Sequence, residues 1–138
     1  MTPYHHLVHY YETDRMGISH HSNYIRWMEE ARVHFLTELG FPYDKLEEAG
    51  VISPVISVNC HYLATSTFAD DISIMVTVAM VKAARLVLSY QMINQEGKLV
   101  CEAQSEHSFL RQAGGFVNLK KDFPDFYQKL LELSQEED

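Results

Sequence analysis

Cysteine is nearly absent from this 138-residue chain: only Cys60 and Cys101 occur, far apart in sequence. With no Cys-x-x-Cys pair and no regular spacing, they build neither a disulfide scaffold nor a thiolate metal site. Both are expected as reduced thiols inside strands, where cysteine packs as a small hydrophobe. Positive charge is also short. Eleven Lys and Arg stand against nineteen Asp and Glu, a formal net charge of −8. That balance excludes a nucleic-acid backbone as the main partner, because phosphate tracks need a basic face. One small phosphorylated ligand, held by a few local cations, stays compatible with it. Long apolar runs are missing too. The longest, Ile72 to Val81, is broken by Ser73 and Thr77 and is too short to span a bilayer. The opening Met-Thr-Pro-Tyr-His-His has neither the basic region nor the apolar stretch of a signal peptide, so a soluble, cytoplasmic protein is expected. No Pro- or Gly-rich linker, repeat or low-complexity tract divides the chain. A single domain over 1–138 is therefore expected.

What is present is an ordinary globular composition, 46% hydrophobic and 22% charged, with two kinds of periodicity. Tyr24, Trp27, Met28, Ala31, Phe35, Leu36 and Leu39 make one apolar stripe at helical spacing, which predicts a long helix over 20–39. Ser19, Ser22 and Asn23 suit its start, and Gly40 its left-handed close. A stripe this wide needs a broad apolar surface, and a sheet supplies one. A short helix is expected from Tyr43 to Ala49. Tyr4 to Tyr11 reads as a strand. After Gly50 the period becomes two, predicting strands over 52–62, 72–80, 86–92 and 99–109. Asn94 to Gly97 is the hairpin loop between the last two. Their short connections predict antiparallel neighbours in chain order. A terminal amphipathic helix over 122–133 and a frayed acidic tail over 134–138 complete the expectation. The result is an α+β fold, an antiparallel five-stranded sheet wrapped around one long helix. One helix cannot cover both faces of such a sheet, so a homo-oligomer is expected on burial grounds.

The stretch that carries chemistry is Tyr11-Glu-Thr-Asp-Arg-Met-Gly-Ile-Ser-His-His-Ser-Asn-Tyr24. It puts an acid, Asp14, at a strand end, a bend at Gly17, and a helix start at His20 to Asn23. Helix N-termini expose unpaired N–H groups and partial positive charge, which stabilise the oxyanion formed during acyl transfer. A facing carboxylate attacks the carbonyl or activates a water. Asp14 and the backbone N–H of His21 are thus the minimum equipment for thioester hydrolysis, since a thiolate leaves with little acid assistance.

The run Glu-Thr-Asp-x-x-Gly-x-x-x-His-x-Asn-Tyr over 12–24, followed by Glu30-Ala31-Arg32, resembles the signature of the 4-hydroxybenzoyl-CoA thioesterase family, in particular its short-chain acyl-CoA branch. Ser53-Pro54-Val55-Ile56 and Phe68-Ala69-Asp70-Asp71 extend the resemblance, which covers residues 5 to 112. It implies a hot-dog fold and hydrolysis of an acyl-CoA to free acid and CoA. Asp14 stands at the catalytic carboxylate and His21 at the residue whose amide polarises the carbonyl; Gly17, His20 and Tyr24 line the substrate. Lys82 and Arg85 resemble the position that meets coenzyme A's phosphates. No cofactor is implied, coenzyme A being part of the substrate. Active sites at a dimer interface, with dimers pairing into a homotetramer, are implied as well. Arg15 and Met16 replace small residues of the family pattern, which touches substrate choice.

Each residue also has a plainer use. Asp14 suits a turn that hydrogen-bonds its own loop, Tyr24 and Trp27 suit the core, Lys82 and Arg85 suit solvated strand ends, and Glu30 suits a structural salt link. His5 and His9 on one extended face stand about 13 Å apart, too far for one ion, so no metal site is expected. Two other functions remain open: hydrolysis of an acyl group on a carrier protein, and non-catalytic acyl-CoA binding. The paired Asp and His motif of a hydratase is not found.

Overall fold

The computed structural model describes residues 2–135. Strand β1 (Tyr4–Leu7) leads into a single 3-10 turn at Tyr10–Glu12, then helix α1 (Ser22–Leu39) and the short α2 (Tyr43–Glu48). Strands β2 (Val51–Ile52), β3 (Val55–Tyr62), β4 (Asp71–Lys82), β5 (Arg85–Ile93), β6 (Leu99–Ser108) and β7 (Leu110–Arg111) follow. Helices α3 (Leu119–Asp122) and α4 (Pro124–Gln135) end the described chain. The main sheet is antiparallel with strand order β1-β4-β5-β6-β3, and β2 pairs with β7 apart from it. The α+β hot-dog expectation therefore holds: a five-stranded sheet curls around the long helix.

Three details differ from the sequence reading. The first strand stops at Leu7 rather than Tyr11, because the chain turns at His9 and Glu12 reaches back to the His9 amide at 2.8 Å. The 52–62 strand is two pieces: Pro54 carries no N–H, so β2 and β3 lie in different sheets on either side of it. Chain order also fails once. β3 pairs with β6, not with β4, and residues 63–70 carry the chain across the sheet. At the far end the last helix runs on to Gln135, with α3 before it; of the expected tail, 136–138 lie outside the described residues.

The stripe read from the sequence is the buried face of α1. Trp27 and Ala31 are wholly buried, and Tyr24, Met28, Phe35, Leu36 and Leu39 nearly so. They rest on the inward rows of the sheet, among them Ile72, Ile74, Leu88 and Met92. A bulge between Val78 and Met80 shifts the alternation, so Val81 rather than Met80 is the last buried residue of β4. β1 pairs only with Asp71–Ile74; farther along, α4 lies against β4 and buries Phe126 and Leu130 beside Phe109 and Phe41. Gly40 closes α1 at φ 91°, a left-handed conformation that favours glycine. Both cysteines are free, Cys60 in β3 and Cys101 in β6.

The burial argument for an oligomer needs correcting in its location. The outer face of the sheet presents Ser73, Thr77, Ser89, Gln91, Glu102 and Gln104, which tolerate water. Exposed apolar side chains stand instead on edge strand β3, at Val55 (49%), Ile56 (46%) and Val58 (37%), on α1 at Ile25 and Val33, and outside both at Leu7, Tyr10, Tyr11, Met16, Leu63, Phe68 and Phe116. Among the described residues no helix is long and apolar enough to cross a membrane.

The helix–sheet contact is the main source of burial. Leu88→Ala, in the wholly buried row beneath α1, is expected to lower unfolding free energy by about 2–5 kcal/mol. Thr77→Ala on the outer face should change it by less than about 0.5 kcal/mol. Urea denaturation of both variants measures the contrast.

Candidate active site

The loop between β1 and α1 is organised by Glu12, which the sequence reading passed over. Its side chain is buried, and one oxygen, Oε1, meets both His6 Nε2 and the His9 N–H at 2.8 Å. The other, Oε2, accepts from Trp27 Nε1 at 2.8 Å. One carboxylate thereby ties the end of β1, the 3-10 turn and the second turn of α1. Burial by itself would raise its pKa; the hydrogen bonds from His9, His6 and Trp27 outweigh it and hold the group below the usual carboxylate value. The Glu12 peptide carbonyl adds a second tie, accepting from the His20 N–H at 2.8 Å and from Asn23 Nδ2 at 2.9 Å.

Those two bonds close the loop over residues 12–20. Asp14 lies two residues beyond the Glu12 carbonyl, and His21 directly follows the amide bound to it. Inside the loop, Thr13 bridges Ser19, the Asp14 N–H donates to Ile18 O at 2.9 Å, and the Gly17 N–H donates to Asp14 O at 3.0 Å. Gly17 sits at φ 78°, a region that strains any side chain. The 63–70 crossing clamps the loop from outside. Thr67 Oγ1 donates to Gly17 O at 2.8 Å, and Ser66 bonds Ser19 through both its carbonyl and its hydroxyl.

Asp14 is part-buried, and its Oδ1 accepts from the Met16 N–H at 2.8 Å. The plain turn role is therefore real, yet it occupies one oxygen; among the described residues no protein donor meets Oδ2. At the helix start the Asn23 and Tyr24 amides bond the His20 and His21 carbonyls, and the Ser22 amide meets His20 Nδ1 at 3.2 Å. The His21 N–H has no acceptor among the described residues. It faces the positive end of an eighteen-residue helix. The His20 and His21 rings are exposed and stack at 4.3 Å, and the His21 carbonyl accepts from Tyr62 Oη of β3 at 3.3 Å.

The remaining expected site residues are placed differently. Tyr24 is buried at 3% exposure, packs on Trp27 and Tyr62, and bonds Ser66 Oγ at 2.9 Å. It holds the helix start against the crossing loop. Lys82 and Arg85 face each other across the β4–β5 hairpin, and Arg85 pairs with Glu106 at 3.5 Å. β4 begins beside the loop and ends at Lys82, eleven residues or about 36 Å along the strand. One protomer does not bring these cations to Asp14. Glu30 has the structural contacts expected of it, meeting His6 Nδ1 at 3.5 Å and accepting from Tyr4 Oη at 2.7 Å, while Arg32 pairs with Glu29. The histidine reading also changes, since the turn at His9 brings ligand atoms of His6, His9 and Glu12 within 4.8 Å of one another. Both Glu12 oxygens already accept hydrogen bonds there, so the cluster works as a buried polar junction.

An antiparallel sheet rolled around one long helix defines the hot-dog class. This chain belongs to the thioesterase-like superfamily, whose family model matches residues 8–131. It is 32% identical over 121 residues to YneP of Bacillus subtilis strain 168, a candidate acyl-CoA thioesterase, covering 87% of this chain and 88% of that one. It is 27% identical over 97 residues to the acyl-CoA thioester hydrolase YbgC of Escherichia coli O157:H7, covering 70% and 72%. The crystal structure of a DHNA-CoA thioesterase from Staphylococcus aureus superposes with a TM-score of 0.91 at 29% identity, covering 99% of this chain and 95% of that one.

Glu12→Gln replaces an acceptor with a donor facing other donors. It should cost about 3 kcal/mol of stability at neutral pH. Glu12 has a lowered folded-state pKa, so its contribution is complete above the unfolded carboxylate value and is lost as pH falls through the folded one. Thermal melts of the parent should therefore fall below about pH 4.5, and the Gln variant should show a shallower acid slope.

Proposed function

We propose that this enzyme hydrolyses acyl-CoA thioesters at the Asp14–His21 loop mouth. The observation that carries the reading is the pairing of a half-engaged carboxylate with an unpartnered helix-start amide, held together by the His20 N–H to Glu12 carbonyl bond. The thioester carbonyl oxygen accepts from the His21 N–H, which stabilises the negative charge of the tetrahedral species. Asp14 either attacks the carbonyl carbon or takes a proton from the attacking water. On the water route the water oxygen forms the C–O bond, the C–S bond breaks, and Asp14 returns the proton it took to the departing thiolate. On the direct route an Asp14 oxygen displaces the thiolate to give a mixed anhydride, which water then cleaves to free acid, regenerating the carboxylate and supplying the thiolate's proton. The printed names of YneP, YbgC and the Staphylococcus aureus protein support this chemistry. The Asp14 to His21 pattern and Glu30-Ala31-Arg32 support a place in the 4-hydroxybenzoyl-CoA thioesterase branch.

A second protomer completes the site in this reading. β3 is a sheet edge with exposed apolar side chains, which invites pairing with another strand. In sheet register Arg85 opposes Ser108, and Val55 opposes the adjacent His107, so the Arg85 end of the sheet is also the Val55 end of β3. Tyr62, at the other end, touches His21. Antiparallel pairing of two β3 strands thus carries Lys82 and Arg85 of one protomer toward the loop mouth of its partner, where they meet the phosphates of coenzyme A. A homodimer follows, and the resemblance supports its pairing into a tetramer.

Asp14→Asn keeps the Met16 turn, because the Asn carbonyl accepts the same N–H. It should lower kcat by about 10²–10⁴-fold with an unchanged melting temperature and retained binding of coenzyme A; hydrolysis at the parental rate removes Asp14 from the chemistry. Ile56→Lys should convert the assembly to monomers in size-exclusion chromatography with light scattering, and activity should fall with it.

A further inference from the structure

Between the first half of α1 and β3 lies a cavity of about 210 Å³. Ile25, Met28, Val55 and Val58 make its apolar walls, Arg26 and Glu29 of α1 also line it, and Tyr90, Ser105 and His107 line it from the sheet. Ile25 and Met28 follow His21 by four and seven residues, on the same helix face. The cavity therefore begins roughly 6–10 Å from the His21 amide along the helix axis, at 1.5 Å per residue. Val58 and Val55 run away from Tyr62 along β3 in the matching direction. A thioester whose carbonyl sits on His21 directs its acyl group here.

The polar residues that line it from the sheet form a chain. Tyr90 Oη meets Ser105 Oγ at 2.6 Å, and Ser105 Oγ meets His107 Nε2 at 2.7 Å. All three residues are buried, His107 at 1% exposure. Its Nδ1 has no hydrogen-bond partner among the described residues. Burial, with the Arg32 guanidinium and against Glu29, holds the imidazole down to about 4, so the ring is neutral near pH 7 and carries one proton. Either hydroxyl can donate between Tyr90 and Ser105, and the tautomer decides the bond between Ser105 and His107. In the sense in which Tyr90 donates to Ser105 and Ser105 to Nε2, the imidazole proton is on Nδ1 and the chain ends in a donor that lacks an acceptor, a standing penalty for a buried group. Met28, unbranched and easily repacked, forms part of the same wall.

We propose that His107 is a specificity-determining residue, and that the Tyr90–Ser105–His107 chain selects acyl groups carrying a hydroxyl or keto oxygen at the end remote from the thioester. This rests on the thioester lying at Asp14 and His21. The apolar walls accept the body of the acyl group, and its oxygen supplies the acceptor that Nδ1–H lacks. An acyl group of equal size without that oxygen leaves the donor unpaired.

The test uses two matched pairs of thioesters: 6-hydroxyhexanoyl-CoA against heptanoyl-CoA, and 4-hydroxybenzoyl-CoA against benzoyl-CoA. In at least one pair the oxygenated member should have a kcat/KM higher by about tenfold to a hundredfold, and which pair responds separates straight-chain from aromatic acyl groups. His107→Gln places an amide near Nε2, keeps the Ser105 bond and removes the Nδ1 donor; it should bring the ratio close to one. His107→Asn places its amide nitrogen near Nδ1 and should retain the preference. Equal parental kcat/KM within both pairs overturns the proposal, and so does a preference that survives in Gln and vanishes in Asn, the pattern of a purely structural histidine. Hydrolysis-resistant thioether analogues of the same acyl groups, titrated against the parental protein, give a readout independent of turnover and of variant folding. Discrimination in binding without hydrolysis sinks the hydrolase reading and leaves this one; hydrolysis without discrimination does the reverse.

Discussion

The Glu12 residue is where the sheet, the 3-10 turn and the long helix are joined. Its carboxylate takes donors from His9 and Trp27 and meets His6, while its carbonyl takes donors from His20 and Asn23. A buried carboxylate is costly unless every oxygen is occupied, and here each one is. Because those partners sit on three elements, satisfying the charge and positioning the loop are the same event. Asp14 and His21 flank the residues tied at that junction, Glu12 and His20. The Ser19–Ser66 and Thr67–Gly17 bonds then fix the loop against the crossing segment, so the site is braced from the helix side and from the sheet side.

Much of the fold was legible because burial imposes periods. The α1 stripe, the Asn94–Gly97 hairpin and the inward rows of β5 and β6 follow from spacing alone, since only one face of each element meets the core. Where the reading slipped, a local or non-local effect outweighed the period. Tyr4 to Tyr11 has strand composition, yet Glu12, three residues after His9, reaches back to its amide and turns the chain; an acid at that spacing is the signal that would have shown it. The chain-order rule assumes that a short connection cannot cross strands. Residues 63–70 suffice to do so, because passing from β3 to β4 spans three strand spacings, about 14 Å.

The site was legible in part. Acid, bend and helix start were visible as a linear pattern, and the Glu12–His20 bond closes them into one loop. The Glu12 hub was not visible as such, because its partners His6, His9 and Trp27 are defined by tertiary proximity. The Lys82 and Arg85 pair shows the opposite limit: sequence pattern placed cations near a phosphate, while the strand length puts them at the far end of their own sheet. Arg32 pairs with Glu29, which lies one helical turn before it and on its face, and Glu30 meets His6 instead.

The exposed edge of β3 connects these observations. A strand with Val55, Ile56 and Val58 in water, and a free row of backbone donors and acceptors, is an aggregation hazard that folded proteins rarely leave bare. The outer sheet face, by contrast, is polar enough to stand alone. The β3 edge runs between the His21 end and the Arg85 end of the sheet. Pairing two edges satisfies the strand, and in the proposed dimer it also carries Lys82 and Arg85 of one protomer toward the Asp14 loop of its partner. Under that proposal one contact serves stability and catalysis together, because the edge that leaves each sheet unfinished is also the route by which the cations reach the loop.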